Sequence, residues 1–269
     1  MAKPPRKLAF IMASTDHGTM IMNRFDQHTS GNRVFGAGFQ LLNKASYDPD
    51  EVALMLTVLD LRRKYYGDGV VAIDCGANLG VHTVEWAKHM SAWGVALAFE
   101  AQERIFYALA GNIAINNCFN ARAIHAAVTN KPGTMKIPKP DYLTNSSFGS
   151  LELKKRDDTE YIGQLIDYSD DKMVEVRAVN FDSFNFSRID LIKIDVEGME
   201  LDVLAGAARC IAAAHPILLV EVLKTDADAL RTWLENLGYT TFPSGLNLIA
   251  FHKEDKCLEG VKIETPATP

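Results

Sequence analysis

An α/β fold with one largely parallel sheet is what this 269-residue chain predicts, on three observations. Short apolar runs alternate with segments of helical periodicity from Gly69 onward. The first run ends in a glycine-spaced turn at a helix start, Asp74-Cys75-Gly76-Ala77-Asn78-Leu79-Gly80. The chain then closes on two apolar runs separated by Pro243-Ser244-Gly245, a hairpin signal. Alternation followed by a hairpin matches a seven-stranded mixed sheet whose last strand is antiparallel.

Residues 1–67 read as an N-terminal hairpin and helix cap. Leu8 to Met12 and Thr19 to Met22 flank a polar turn, Ser14 to Gly18, in which His17 is a turn residue. Asp48-Pro49-Asp50-Glu51 starts a helix, with Asp48 as N-cap, Pro49 at the first helical position and acids where the dipole favours them. Val52, Met55, Leu56 and Leu59 continue it with helical spacing.

Residues 68–269 read as the second unit. Its elements are a strand Gly69 to Ile73, a helix Gly80 to His89, a strand to Phe99, a helix Gln102 to Asn116 and a strand Arg122 to Val128. An insertion over about 130–188 holds loop formers such as Pro138, Pro140, Asn145 and Gly149, then an alternating strand Met173 to Val179; such insertions are lids or binding loops. Within it, Tyr142 and Phe148 either offer apolar contact to a ligand or pack the loop onto its own domain. A strand to Ile194, a helix Met199 to Ala213, a strand Pro216 to Leu223 and a helix Asp226 to Leu237 follow, before closing strands Tyr239 to Phe242 and Leu246 to His252.

Ligands in such sheets lie beyond the carboxyl ends of the strands, which gathers Asp74, Glu100, the residues after Val128, Asp195 and Glu221 along one edge. A dinucleotide turn needs G-x-G-x-x-G, yet its second and third glycine places hold Asn78 and Val81. Glu100, about twenty residues beyond the turn, stands where an acid accepts the hydroxyls of a ribose. A nicotinamide-dependent oxidoreductase therefore fits only the general pattern. The spacing D-x-G-x-N-x-G instead resembles the first motif of class I S-adenosylmethionine-dependent methyltransferases.

A second motif, Ile192-Lys193-Ile194-Asp195-Val196-Glu197-Gly198, makes the resemblance specific. Together the two segments resemble the FkbM-type family of these methyltransferases over roughly Val70 to Glu221. The resemblance implies a Rossmann-like methyltransferase fold and O-methylation of a hydroxyl on a sugar, glycan or secondary metabolite, with S-adenosylhomocysteine as product. Cofactor-binding candidates are Asp74, Gly76, Ala77, Asn78, Gly80, Glu100, Ala101, Ala127 and Asp195. An alcohol must lose its proton, so Asp195 is assigned to positioning and Glu197 or Glu221 to proton removal. On the bland alternative, Glu197 caps the next helix and one of these acids neutralises Lys193. Three hard oxygens could also hold Mg²⁺, but no further ligand spacing supports a metal site and none is predicted. His82 and His125 are possible bases that fit structural roles better. The fourth strand lacks the D/N-P-P-Y/F sequence that resembles the site of many nitrogen methylases, which favours oxygen. A catalytically silent cofactor-binding module remains the contrasting alternative.

Net charge of −6 and a single basic cluster, Lys154-Lys155-Arg156, argue against nucleic-acid binding and leave a small-molecule or glycan acceptor as the expected partner. Lys3, Arg6 and Lys7 precede an apolar stretch too short for a secretory signal, and no run of about eighteen apolar residues exists to span a membrane. Four cysteines without C-x-x-C spacing suit reduced thiols in a cytoplasmic protein, and Cys75 is a small turn residue rather than a nucleophile.

Overall fold

In the computed structural model, which describes residues 6–260, the chain opens on a hairpin of β1 (Phe10–Thr15) and β2 (Gly18–Asn23). Lys3 lies outside the described residues. A second small hairpin, β3 (His28–Ser30) and β4 (Arg33–Phe35), and a helix α1 (Ala37–Lys44) precede the predicted α2 (Pro49–Tyr66). Neither β3–β4 nor α1 has enough periodic residues to declare itself in the sequence. Met20, Met22, Leu41 and Val52 from these segments share a core with Leu79, Val81, Ile105 and Phe148. The N-terminal residues therefore pack directly over the glycine turn.

The central strands follow: β5 (Val70–Cys75), α3 (Val81–His89), β6 (Gly94–Glu100), α4 (Glu103–Ile115) and β7 (Ala121–His125). The single strand expected from Arg122 to Val128 is broken. After His125 the chain leaves the sheet, and β8 (Ala127–Val128) pairs in parallel with β10 (Met173–Val179), which pairs antiparallel with β9 (Gly133–Pro138). The insertion is thus partly a three-stranded side sheet.

Next come β11 (Leu191–Ile194), α5 (Glu200–Ala205), α6 (Ala208–Ala214), β12 (Ile217–Glu221), α7 (Ala227–Asn236), β13 (Tyr239–Ser244) and β14 (Asn247–His252). The one helix expected over Met199 to Ala213 is two, interrupted at Gly206. A Cβ there would stand 2.3 Å from the Thr129 carbonyl oxygen, so glycine is required where this segment meets the strand-exit loop. The closing turn is Gly245-Leu246 rather than Pro243-Ser244-Gly245. Pro243 and Ser244 belong to β13, an edge strand that tolerates the missing proline donor.

The main sheet runs β7-β6-β5-β11-β12-β14-β13, and only β14 runs opposite to the other six strands. Both faces are covered. Ile73, Ile192, Ile194, Leu218 and Val220 face α5, α6 and α7; Ala72, Leu191 and Leu219 face α2 and α3. Between β5 and β11 the order reverses, opening the crevice that such sheets use for ligands.

Candidate functional site

Alternation along the strands decides where chemistry can occur. On the α2–α3 face the apolar positions Ala72, Leu191, Leu219 and Ile249 are followed, toward the crevice, by Asp74, Lys193, Glu221 and Asn247. One face of the sheet therefore turns polar at its carboxyl edge while the other stays apolar through Cys75, Ile194 and Val220. Cys75 is buried, and desolvation pushes its thiol well up, as expected of a packed turn residue.

The glycine turn lies across the switch point. Gly76 has φ +82°, and a Cβ on it would come 1.8 Å from the Asp195 carbonyl oxygen. The two sequence motifs thus touch, backbone to backbone. Gly80, also at positive φ, caps α3 and abuts Leu109, where a Cβ would be 2.3 Å away; it supports the turn from behind and does not line the cavity. Asn78 adopts φ +49° and donates its N–H to Glu100 Oε2 at 2.9 Å, while Gln102 donates its N–H to Oε1 at 2.7 Å. Burial nevertheless raises the Glu100 carboxyl to about 7. Asp74 accepts from Thr83 Oγ1 at 2.6 Å through Oδ2, leaving buried Oδ1 without a partner.

Across the crevice, one oxygen each from Asp195, Glu197 and Glu221 lies within 4.8 Å of the others. Lys193, buried, donates to Asp195 Oδ2 at 2.8 Å, and the neighbouring acids hold its ammonium form well above the ordinary range despite burial. The expected neutralisation of Lys193 is therefore made by Asp195. Glu197 does not cap the next helix: it sits at φ +55° with Oε2 2.7 Å from Lys224 Nζ. Glu200, the first residue of α5, instead reaches back, its Oε1 accepting from the loop N–H groups of Val196 and Gly198. Burial first, and then the charge of Asp195, push both Glu197 and Glu221 upward, and Glu221 Oε2 has no partner.

A cavity of about 790 Å³ is lined by Asp74, Gly76, Ala77, Asn78, Glu100, Ala101, Ala127, Asp195, Glu197 and Glu221, so of the predicted site residues only Gly80 stands back. Asp48, Glu51 and Tyr47 are among the lining groups that the sequence reading did not assign to the site. Asp48 occupies the N-cap position of α2 but at φ +40° and without a side-chain cap bond; instead it lines the cavity beside Tyr47. Glu51, read as a first-turn acid, stands 3.2 Å from His82 Nε2 and accepts from Asn247 Nδ2. The Tyr47 phenol, kept protonated by burial and by the nearby acids, is placed by His17: its backbone N–H donates to Nε2 at 3.0 Å, and Nδ1 lies 3.2 Å from Glu85. No local signal marks these residues, because they meet the strands only through tertiary packing. Ser147, Gly149 and Leu151 from the insertion close one wall. Tyr142 and Phe148 instead pack ring against ring, and Phe148 is fully buried in the core. His125 stacks on Phe106, a structural place.

The cavity fits an adenosine-type methyl donor: orphaned buried acceptors at Asp74 and Asn78, beside an acid at the second strand end. Methyltransferase 1 of Beauveria bassiana (strain ARSEF 2860) is 25% identical over 184 residues, covering 65% of this chain and 74% of that one. A solved FkbM methyltransferase from Methylobacillus flagellatus KT is 15% identical with a TM-score of 0.47, over 71% of this chain and 48% of the other; this chain spans about half its length. The N-terminal domain of human METTL16, solved in complex with SAH, is 13% identical with a TM-score of 0.45, over 85% and 89%. No described helix is long and apolar enough to cross a membrane. Residues 74–241, more than half of the chain, match the Methyltransferase FkbM domain, and the protein belongs to this family of S-adenosylmethionine-dependent methyltransferases.

Proposed function

We propose that the protein transfers the methyl group to a hydroxyl of a small-molecule or glycan acceptor, such as a sugar or a secondary metabolite, in the cytoplasm. The observation that carries this reading is the convergence of Asp195, Glu197 and Glu221 on the crevice bordered by the glycine turn. S-adenosylmethionine supplies a methyl on a positively charged sulfur, which leaves as the neutral sulfide of S-adenosylhomocysteine. Asp74, Ala77, Asn78 and Glu100 would hold its adenosine and amino-acid ends, with Ala101 and Ala127 flanking the base and Asp195 beside the sulfonium.

Holding the acceptor oxygen in line with the methyl supplies most of the rate. The hydroxyl proton passes to Glu197 or Glu221. Burial and the charge of Asp195 favour the protonated form of both, and a cation brought among these acids favours the carboxylate. The deprotonated form that can accept a proton is thus favoured when the charged cofactor is in place. Replacing Asp195, Glu197 and Glu221 singly by their amides should leave S-adenosylhomocysteine affinity within a few fold for Glu221→Gln and lower methyl transfer by about 10²–10⁴ for the base. A transfer rate untouched by all three would overturn the assignment, and no transfer to any hydroxylated acceptor would favour the silent binding module.

Glu100 gives a pH test. Ribose hydroxyls donate to its carboxylate, so binding favours the deprotonated form, whereas the free protein holds the proton up to about pH 7. Below that pH binding must release a proton, and affinity for S-adenosylhomocysteine should rise by up to about tenfold per pH unit before levelling off. Calorimetry across this range checks the slope; Glu100→Gln should bind weakly and lose it.

A further inference from the structure

Five of the large apolar side chains left exposed by the fold gather on one feature, the mouth of the methyl-transfer cavity. Val34 and Phe35 come from β4, Leu54 from α2, Leu223 from the loop after β12 and Leu246 from the β13–β14 turn. These four segments are remote in sequence and meet only here. Leu223 and Leu246 are 58% and 60% exposed. Leu246 occupies the tip of a two-residue turn, a place where Gly, Asn, Asp or Ser satisfies the backbone best and a leucine gains nothing from its own chain. Its carbonyl accepts from the Val222 N–H, so the turn and the loop carrying Leu223 are tied together and present both leucines side by side.

Exposed apolar clusters mark binding surfaces. This one is continuous with the acid-lined floor. The cavity it encloses falls within the size range of sites for drug-sized ligands, which are mostly apolar with a few placed polar groups. We propose that this collar is the specificity element of the acceptor subsite and that the acceptor is amphipathic: a hydroxyl directed at the acids, carried on an apolar hydrocarbon body held by Leu223, Leu246, Leu54 and Phe35. The proposal rests on the methyl-transfer reading for the fate of the hydroxyl. The collar's preference for apolar matter stands without it.

The test uses the full chain, ¹³C-methyl-labelled at leucine and saturated with S-adenosylhomocysteine, titrated with primary alkanols from 1-propanol to 1-octanol and with glucose as a polar control. Resonances of Leu223 and Leu246, assigned through Leu223→Ala and Leu246→Ala, should shift, and the dissociation constant should fall by about three- to fourfold per methylene until the collar is filled. In Leu223→Ser/Leu246→Ser the dependence on chain length should flatten while S-adenosylhomocysteine affinity stays unchanged. A flat dependence in the wild type, tighter binding of glucose than of 1-octanol, or shifts confined to other leucines would overturn the proposal. So would collar shifts that depend on protein concentration alone together with a dimer in sedimentation, which would assign the leucines to self-association. Failure of S-adenosylhomocysteine to bind in the same samples would remove the methyl-transfer reading and leave the chain-length dependence to decide the collar.

Discussion

Asp190→Ala should lower the unfolding free energy by about 3–5 kcal/mol, because it strips a buried cation of its partner. Asp190, at the start of β11 and fully buried, accepts from Arg62 Nε at 3.0 Å, from Arg188 at 2.7 and 3.0 Å, and from the Val71 N–H at 2.9 Å. Arg62, buried on α2, also donates to Asp255 at 2.8 Å, and Asp255 Oδ1 accepts from the Tyr66 hydroxyl. One carboxylate thus fastens α2 to the edges of β5 and β11. Without it the guanidinium faces apolar surroundings with half its partners, and the Val71 N–H is orphaned. Urea denaturation checks this, with a fall in melting temperature on the order of 10 °C for a chain of this size. Asp190→Asn keeps an acceptor and should cost less; an unchanged midpoint for both would show that the network contributes nothing net.

Gly76→Ala should abolish S-adenosylhomocysteine binding and destabilise the fold. The left-handed backbone alone costs a residue with a Cβ about 1–3 kcal/mol. The added carbon would also stand 1.8 Å from the Asp195 carbonyl oxygen, a backbone atom with no rotamer to escape into. Relief requires β5 and β11 to separate at the switch point, which widens the crevice and draws Asn78 away from Glu100. Calorimetry with S-adenosylhomocysteine and thermal unfolding read the two effects separately. Gly80→Ala, by contrast, meets only the flexible Leu109 side chain beside its own positive φ, and should lose stability more than affinity. Equal binding by wild type and Gly76→Ala would contradict the close-approach argument.

Much of this architecture was legible because its signals are local. A strand buried on both faces must be apolar at every position, and a turn that brings backbone to ligand must spend glycine. Asp74, Glu100, Asp195 and Glu221 were identifiable because each ends such a run. Strands of three residues or fewer, such as β3, β4 and β8, leave no period to count. The break between α5 and α6 is not legible in the run Met199 to Ala213; what the structure adds is the close approach of the Thr129 carbonyl to Gly206, which no local pattern displays. Asp48 shows the same limit from the other side. Asp before Pro at a helix start satisfies every capping rule, and the fold instead turns that side chain into the cavity, at the cost of an unfavourable φ. Tyr47, Glu51 and Asn247 became site residues only through the docking of α2 over the sheet.

The reversed direction of β14 has a further consequence for how this scaffold tolerates change. Because that strand begins at the crevice and ends at His252 on the remote edge, the hairpin tip and the residues after the strand lie at opposite ends of the sheet. Lengthening the tip reshapes the ligand entrance directly, whereas a change at Lys253 or Glu254, just past the strand, falls at the far end of the sheet.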